Sequence, residues 1–161
     1  MVFIAIIFGI LGASFALLLE MVFLNVTHLY DYTSLTFDFS SFALIATTAL
    51  IEEGSKYLFL RQYLIRFNTS LTTFRTTLLS ALCFGLGFAS LEGILALTTG
   101  PLSQDSWFLL GTTLLHIATS ILLLAFLRRS QSLLFGLVFP LSLAFFLHAL
   151  YNTVLSFFPW A

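Results

Sequence analysis

Glu52, Glu53, Lys56, Glu92, His116, His148 and Asn152 each sit inside a run of apolar residues, where no loop or solvent would receive them. The chemistry these types can do together is amide hydrolysis. A carboxylate beside a histidine can orient a water and take its proton. A second histidine, with an Asn amide, can donate hydrogen bonds to the oxyanion of a tetrahedral intermediate. Two histidines and a glutamate also make a catalytic zinc set with a fourth position left for water; here that set would be Glu52, His116 and His148. The chain has no H-E-x-x-H pair, the usual helical spacing for such a metal. The residues alone do not separate the two mechanisms; no cofactor is favoured, and zinc stays possible.

The elements that must carry these residues follow from composition. The 161 residues are 60% hydrophobic and 8% charged, against about a quarter charged in a soluble chain. So much Phe and Leu cannot face water, and lipid is the remaining solvent. A formal net charge of −1 and the lack of a basic run leave no footprint for nucleic acid. Cys83 is the single cysteine and cannot form an internal disulfide. The apolar N-terminus has no preceding Lys or Arg, so it reads as a first span and not as a signal peptide.

A crossing helix needs about 20 apolar residues. About five windows qualify: Val2–Asn25, Phe42–Leu64, Phe74–Leu97, Trp107–Leu127 and Leu133–Phe158. Pro140 would kink the last, and Trp160 would anchor it at the interface. The expected fold is an all-α polytopic transmembrane helix bundle, a single domain over residues 1–161. Arg61, Arg66, Arg75, Arg128 and Arg129 fall on one side, whereas Asp31, Asp38 and Asp105 fall on the other. The positive-inside rule then puts the N-terminus in the cytoplasm and the C-terminus outside, in a multi-pass protein of the plasma membrane.

Depth joins the polar residues. Glu52, His116 and His148 each lie about ten residues, roughly 15 Å, below the outer face, with Glu92 somewhat shallower. Glu53 and Lys56 are three apart, and His148 and Asn152 four apart, so each pair shares a helix face. Ala81, Gly85, Ala89 and Gly93 form a small-residue stripe beside Glu92. The stripe would seat a neighbouring helix, or equally a second copy in a homodimer. Glu20, near the outer end of the first span, reads as an interfacial carboxylate.

Other readings of the cluster exist. An ion pair that only fixes helix register would not need two acids against one base. A proton-coupled transporter would use a similar Glu/His relay, yet no internal repeat is evident. A catalytically inactive membrane scaffold or chaperone could retain the cluster's shape without its reaction.

Glu52-Glu53-Gly54-Ser55-Lys56 reads E-E-x-x-K, Phe88 to Glu92 reads F-x-x-x-E, His116 stands alone, and His148 to Asn152 reads H-x-x-x-N. In this order on successive helices, the motifs resemble the PrsW family of intramembrane proteases, distant relatives of the CAAX prenyl endopeptidases and bacterial CPBP membrane proteins. The resemblance runs from Glu52 to Asn152. It implies cleavage of a membrane-protein substrate, such as an anti-sigma factor or a similar single-span protein. It further implies that Glu52 activates water with help from His116, and that His148 and Asn152 form the oxyanion site. Glu53, Glu92, Lys56 and Phe88 would complete and shape the pocket.

Overall fold

The computed structural model describes residues 2–27, 39–67, 73–99, 106–129 and 137–157. They form five helices: α1 (Val2–Thr27), α2 (Phe39–Phe67), α3 (Phe74–Thr99), α4 (Ser106–Arg129) and α5 (Phe139–Ser156). There is no strand among the described residues. In lipid every backbone N–H and C=O must find its partner within the segment, and the helix does this with its own chain. The loop residues Asp31, Asp38 and Asp105 and the anchor Trp160 lie outside the described residues.

Four helices, α1, α3, α4 and α5, are long and apolar enough to cross a membrane. α2 has the length, at 29 residues, but Glu52, Glu53, Lys56 and Arg61 make its middle too polar to qualify by composition. That middle is turned inward, where Glu53, Ser55 and Lys56 are buried. α2 packs on α1, α4 and α5, while α3 packs on α1 and α4. The bundle thus has an inverted polarity. Its buried residues include Glu53, Lys56, Thr119, His116 and His148, and its outer face shows Phe3, Leu18, Ile65 and Phe146, each about 60% exposed or more.

Pro140 differs from its expected place. It lies in the first turn of α5, after a wider turn at 137–138, and does not kink the middle of the helix. A first-turn residue needs no N–H for the helical ladder, and proline's fixed φ suits that position.

Apolar surface gives little drive for helices to associate in lipid, so close fit and hydrogen bonds must do it. α1 and α3 meet backbone to backbone. A Cβ on Gly9 would strike the Phe84 carbonyl, and one on Gly87 would strike that of Ile6. On the other flank of α3, a Cβ on Gly85 would lie 2.6 Å from the Ile117 Cα of α4. Gly85 of the small-residue stripe is thereby engaged within the chain. Gly93 is not, since its Cβ direction meets only Leu109 Cδ2 at 3.9 Å. At one end of the bundle Arg128 donates to the Thr73 carbonyl (3.1 Å) and to the Thr77 hydroxyl, tying the end of α4 to the start of α3. Tyr63 and Ser80 share a 3.0 Å hydrogen bond between α2 and α3.

This packing predicts opposite outcomes for two glycines on one helix. Gly85→Val should destabilise the folded protein in micelles by about 1–3 kcal/mol, because backbone must move to admit it. Gly93→Ala should be neutral or stabilising by up to about 1 kcal/mol, the ordinary gain for a helix interior. Denaturant titration of both variants checks the pair, and equal stabilities would contradict the packing described.

Candidate active site

α2 supplies the first layer. Its turn at Glu52–Lys56 sets Glu53 and Lys56 on one face, and Lys56 Nζ donates to Glu53 Oε1 at 2.6 Å with both side chains fully buried. The same ammonium donates to Thr119 Oγ1 of α4 at 3.1 Å and lies 4.8 Å from the centroid of the Phe88 ring. A buried charge needs this degree of partnering, since its desolvation is otherwise uncompensated. Phe88 in turn stacks on His116, with centroids 5.0 Å apart. Phe88 therefore stands between the lysine and the histidine.

α5 brings His148 to the other side of Glu53, with Nδ1 2.7 Å from the same Oε1. A carboxylate holding a lysine can only accept, so His148 Nδ1 carries the proton and donates it. The tautomer follows: Nε2 bears the lone pair, and it points to Glu52 Oε2 at 3.7 Å. His116 of α4 approaches Glu52 Oε2 as well, its Nε2 at 4.0 Å, and the same nitrogen contacts Glu92 Oε2 of α3. The two imidazoles meet edge to face at 5.4 Å. Four helices thus place Glu52, Glu53, Glu92, His116 and His148 in one cluster.

One oxygen of Glu52 is buried without a hydrogen-bond partner, as are Glu53 Oε2 and His116 Nδ1. Asn152, one turn beyond His148 and half-buried, makes no hydrogen bond to the cluster. Two members escaped the sequence reading. Thr119 is a polar residue on the His116 helix, and its role rests on a partner 63 positions away. Glu20 is not an isolated interfacial group. It lines a cavity of about 70 Å³ together with Glu52, Phe88 and Glu92, and one of its oxygens is buried without a partner. The signal was present in its spacing: Ala13, Ala16 and Glu20 fall three and four apart, on the face of α1 that turns inward.

A family model describing PrsW family intramembrane metalloproteases matches residues 1–161, the whole chain. The protein belongs to this family. No curated protein and no solved structure matches it. As a PrsW-family member it is a multi-pass membrane peptidase, and the family's description raises the metal question that the residues alone left open.

The donor set fits a metal. One ligand atom from each of Glu52, His116 and His148 can be chosen so that all lie within 4.8 Å of one another. Two nitrogens and one carboxylate oxygen are a zinc-type set that leaves a position open. His148 has the usual orienting partner for a liganding imidazole, a carboxylate on its far nitrogen. The unpartnered Glu52 oxygen would gain a partner from a cation there, and so would the cluster's surplus of negative charge. Glu92, on the same His116 nitrogen, puts a further oxygen beside the set.

The lysine is predicted to be essential to the architecture. Lys56→Met, which keeps length and removes charge, should cost about 3–5 kcal/mol by stranding Glu53. Adding Glu53→Gln should restore a large part of it. Unfolding of the single and double variants in micelles tests this; a Lys56→Met protein as stable as the wild type would contradict the pairing.

Proposed function

We propose that the protein hydrolyses a peptide bond in the membrane-embedded segment of a membrane-protein substrate, at a centre built from Glu52, His116 and His148. The observation that carries this is the convergence of those three donor groups within 4.8 Å, from three helices, inside a PrsW-family chain. Glu52, His116 and His148 would hold a zinc-type ion, which when bound polarises a carbonyl oxygen and makes water more acidic.

The chain's own groups account for the remaining work. Glu53, neutralised by Lys56, holds His148 in the tautomer that presents Nε2 to the centre. Glu92 is the most accessible carboxylate of the cluster, with a side chain 37% exposed. It takes the proton of the attacking water as the oxygen bonds to the carbonyl carbon, and returns it to the amine nitrogen as the C–N bond breaks. The Asn152 amide, uncommitted within the described residues, is free to donate to the oxyanion of the tetrahedral intermediate. The 70 Å³ cavity beside Glu20 and Glu52 has room for water next to the reacting groups. The substrate class is a single-span protein such as an anti-sigma factor, reached in the plane of the cell membrane.

The test is cleavage of single-span reporters co-expressed with wild type, Glu52→Gln or His148→Ala, paired with metal analysis of the purified proteins. Both variants should lose cleavage by about 100-fold or more, and the wild type should carry about one zinc per chain. Glu53→Gln combined with Lys56→Met, which leaves no buried charge stranded, should weaken metal affinity by about 10–100-fold while the chain still folds. Cleavage that persists in Glu52→Gln would remove that residue from the centre. Cleavage that resists metal removal would leave the glutamate and histidines acting on water by themselves.

A further inference from the structure

α3 and α4 touch at Gly85 and have parted two turns later at Gly93. Between them the parting opens a cavity of about 300 Å³, walled by Leu86, Ile94 and Leu97 of α3 and by Phe108 and Leu109 of α4. Its outer side is open, with Ile94 and Leu97 each 58% exposed on the lipid face. Glu92 lines this groove, and its carboxylate also contacts His116. One carboxylate therefore belongs both to the groove and to the hydrolytic cluster.

A peptide bond inside a transmembrane helix is a poor target. Its carbonyl is hydrogen-bonded within the helix and covered by the adjoining turns. The bond must be presented by an unwound segment, whose released N–H groups then need acceptors in an apolar medium. A helix with its side chains is about 10–12 Å across, wide for a cavity at the small end of ligand-site volumes. Ser90 and Thr113 supply acceptors along the groove. Each donates its proton to its own helix, to the carbonyls of Gly87 (2.8 Å) and Leu109 (2.7 Å), so the lone pairs of both oxygens are left to accept.

We infer that the α3–α4 groove seats the unwound segment of the substrate next to the scissile bond, and that the missing side chain of Gly93 sets the size of the residue admitted there. This rests on the peptidase reading of the site and adds the path by which substrate meets it. Gly93 stands beside Glu92 and opens onto the groove, so a side chain at this position grows into the space assigned to substrate.

The experiment compares Gly93→Leu with Gly54→Leu. Both glycines have room for a Cβ, but Gly54 faces a different groove, among α1, α2 and α5. Reporters carry Ala, Leu or Phe beside the cleaved bond. Gly93→Leu should lower cleavage of the Leu and Phe reporters by about tenfold or more and that of the Ala reporter far less. Gly54→Leu should stay within about twofold of wild type on all three, and Gly93→Ala should remain active. In parallel, a photoreactive side chain replacing Leu97 should crosslink the reporter's membrane segment in a Glu52→Gln background, whereas one replacing Leu58, on the Gly54 groove, should not. Uniform loss across the panel in Gly93→Leu, no loss, or crosslinking from position 58 alone would overturn the proposal. If wild type cleaves no reporter yet position 97 crosslinks, the hydrolytic reading fails and the groove stands. If neither cleavage nor crosslinking occurs, both fall.

Discussion

The ammonium of Lys56 is the constraint around which this bundle is organised. In a medium without water, a carboxylate such as Glu53 can stay charged only against a fixed cation and with donors on its charge. Lys56 supplies the cation at 2.6 Å, and Glu53 is then able to accept from His148 at 2.7 Å. The orientation of His148 follows from that bond, and with it the direction of the nitrogen that faces Glu52. Thr119 and Phe88 hold the lysine from α4 and α3, so one ion pair connects four of the five helices. Polar contacts of this kind also contribute to holding the helices together where the surrounding solvent is as apolar as their side chains.

Close packing supplies the rest of the positioning. The paired notches at Gly9 and Gly87 bring α1 and α3 to backbone contact, which carries Glu20 toward Glu52 and Glu92. Gly85 does the same between α3 and α4 and brings Glu92 to His116. Where the small-residue contact lapses, at Gly93, the helices diverge. One stripe on α3 thus both closes the bundle and opens its groove.

Much of the cluster was legible in the sequence because ionisable residues in apolar runs are conspicuous, and their shared depth needs only the helical rise. Glu52, Glu53, Glu92, His116 and His148 do meet. Less visible were features that depend on which way a face turns. Glu20 lies toward the end of an apolar run, and linear position alone suggested an interface; the rotation of α1, set by its glycine contacts, turns it inward. Thr119 is an ordinary residue until Lys56 arrives from another helix. Pro140 reads as a kink only if its helix is assumed to begin several residues earlier. Gly93 looked like its three companions in the stripe, since spacing cannot report that two helices part. The four motifs needed no such knowledge, and the family they resemble is the one whose model matches residues 1–161.

The inverted polarity of the bundle has a consequence for how such a sequence can drift. Residues such as Phe3, Leu18, Ile65 and Phe146 turn most of their surface outward to lipid, and lipid asks only that they be apolar. Leu, Ile, Val and Phe are interchangeable there. The identity of the protein is therefore written in few positions, the buried Glu, Lys, His, Thr and Ser residues and the notched glycines. Two descendants of one ancestor could differ over most of their length and still share this interior, so overall percentage identity is a poor measure of kinship for a molecule built this way.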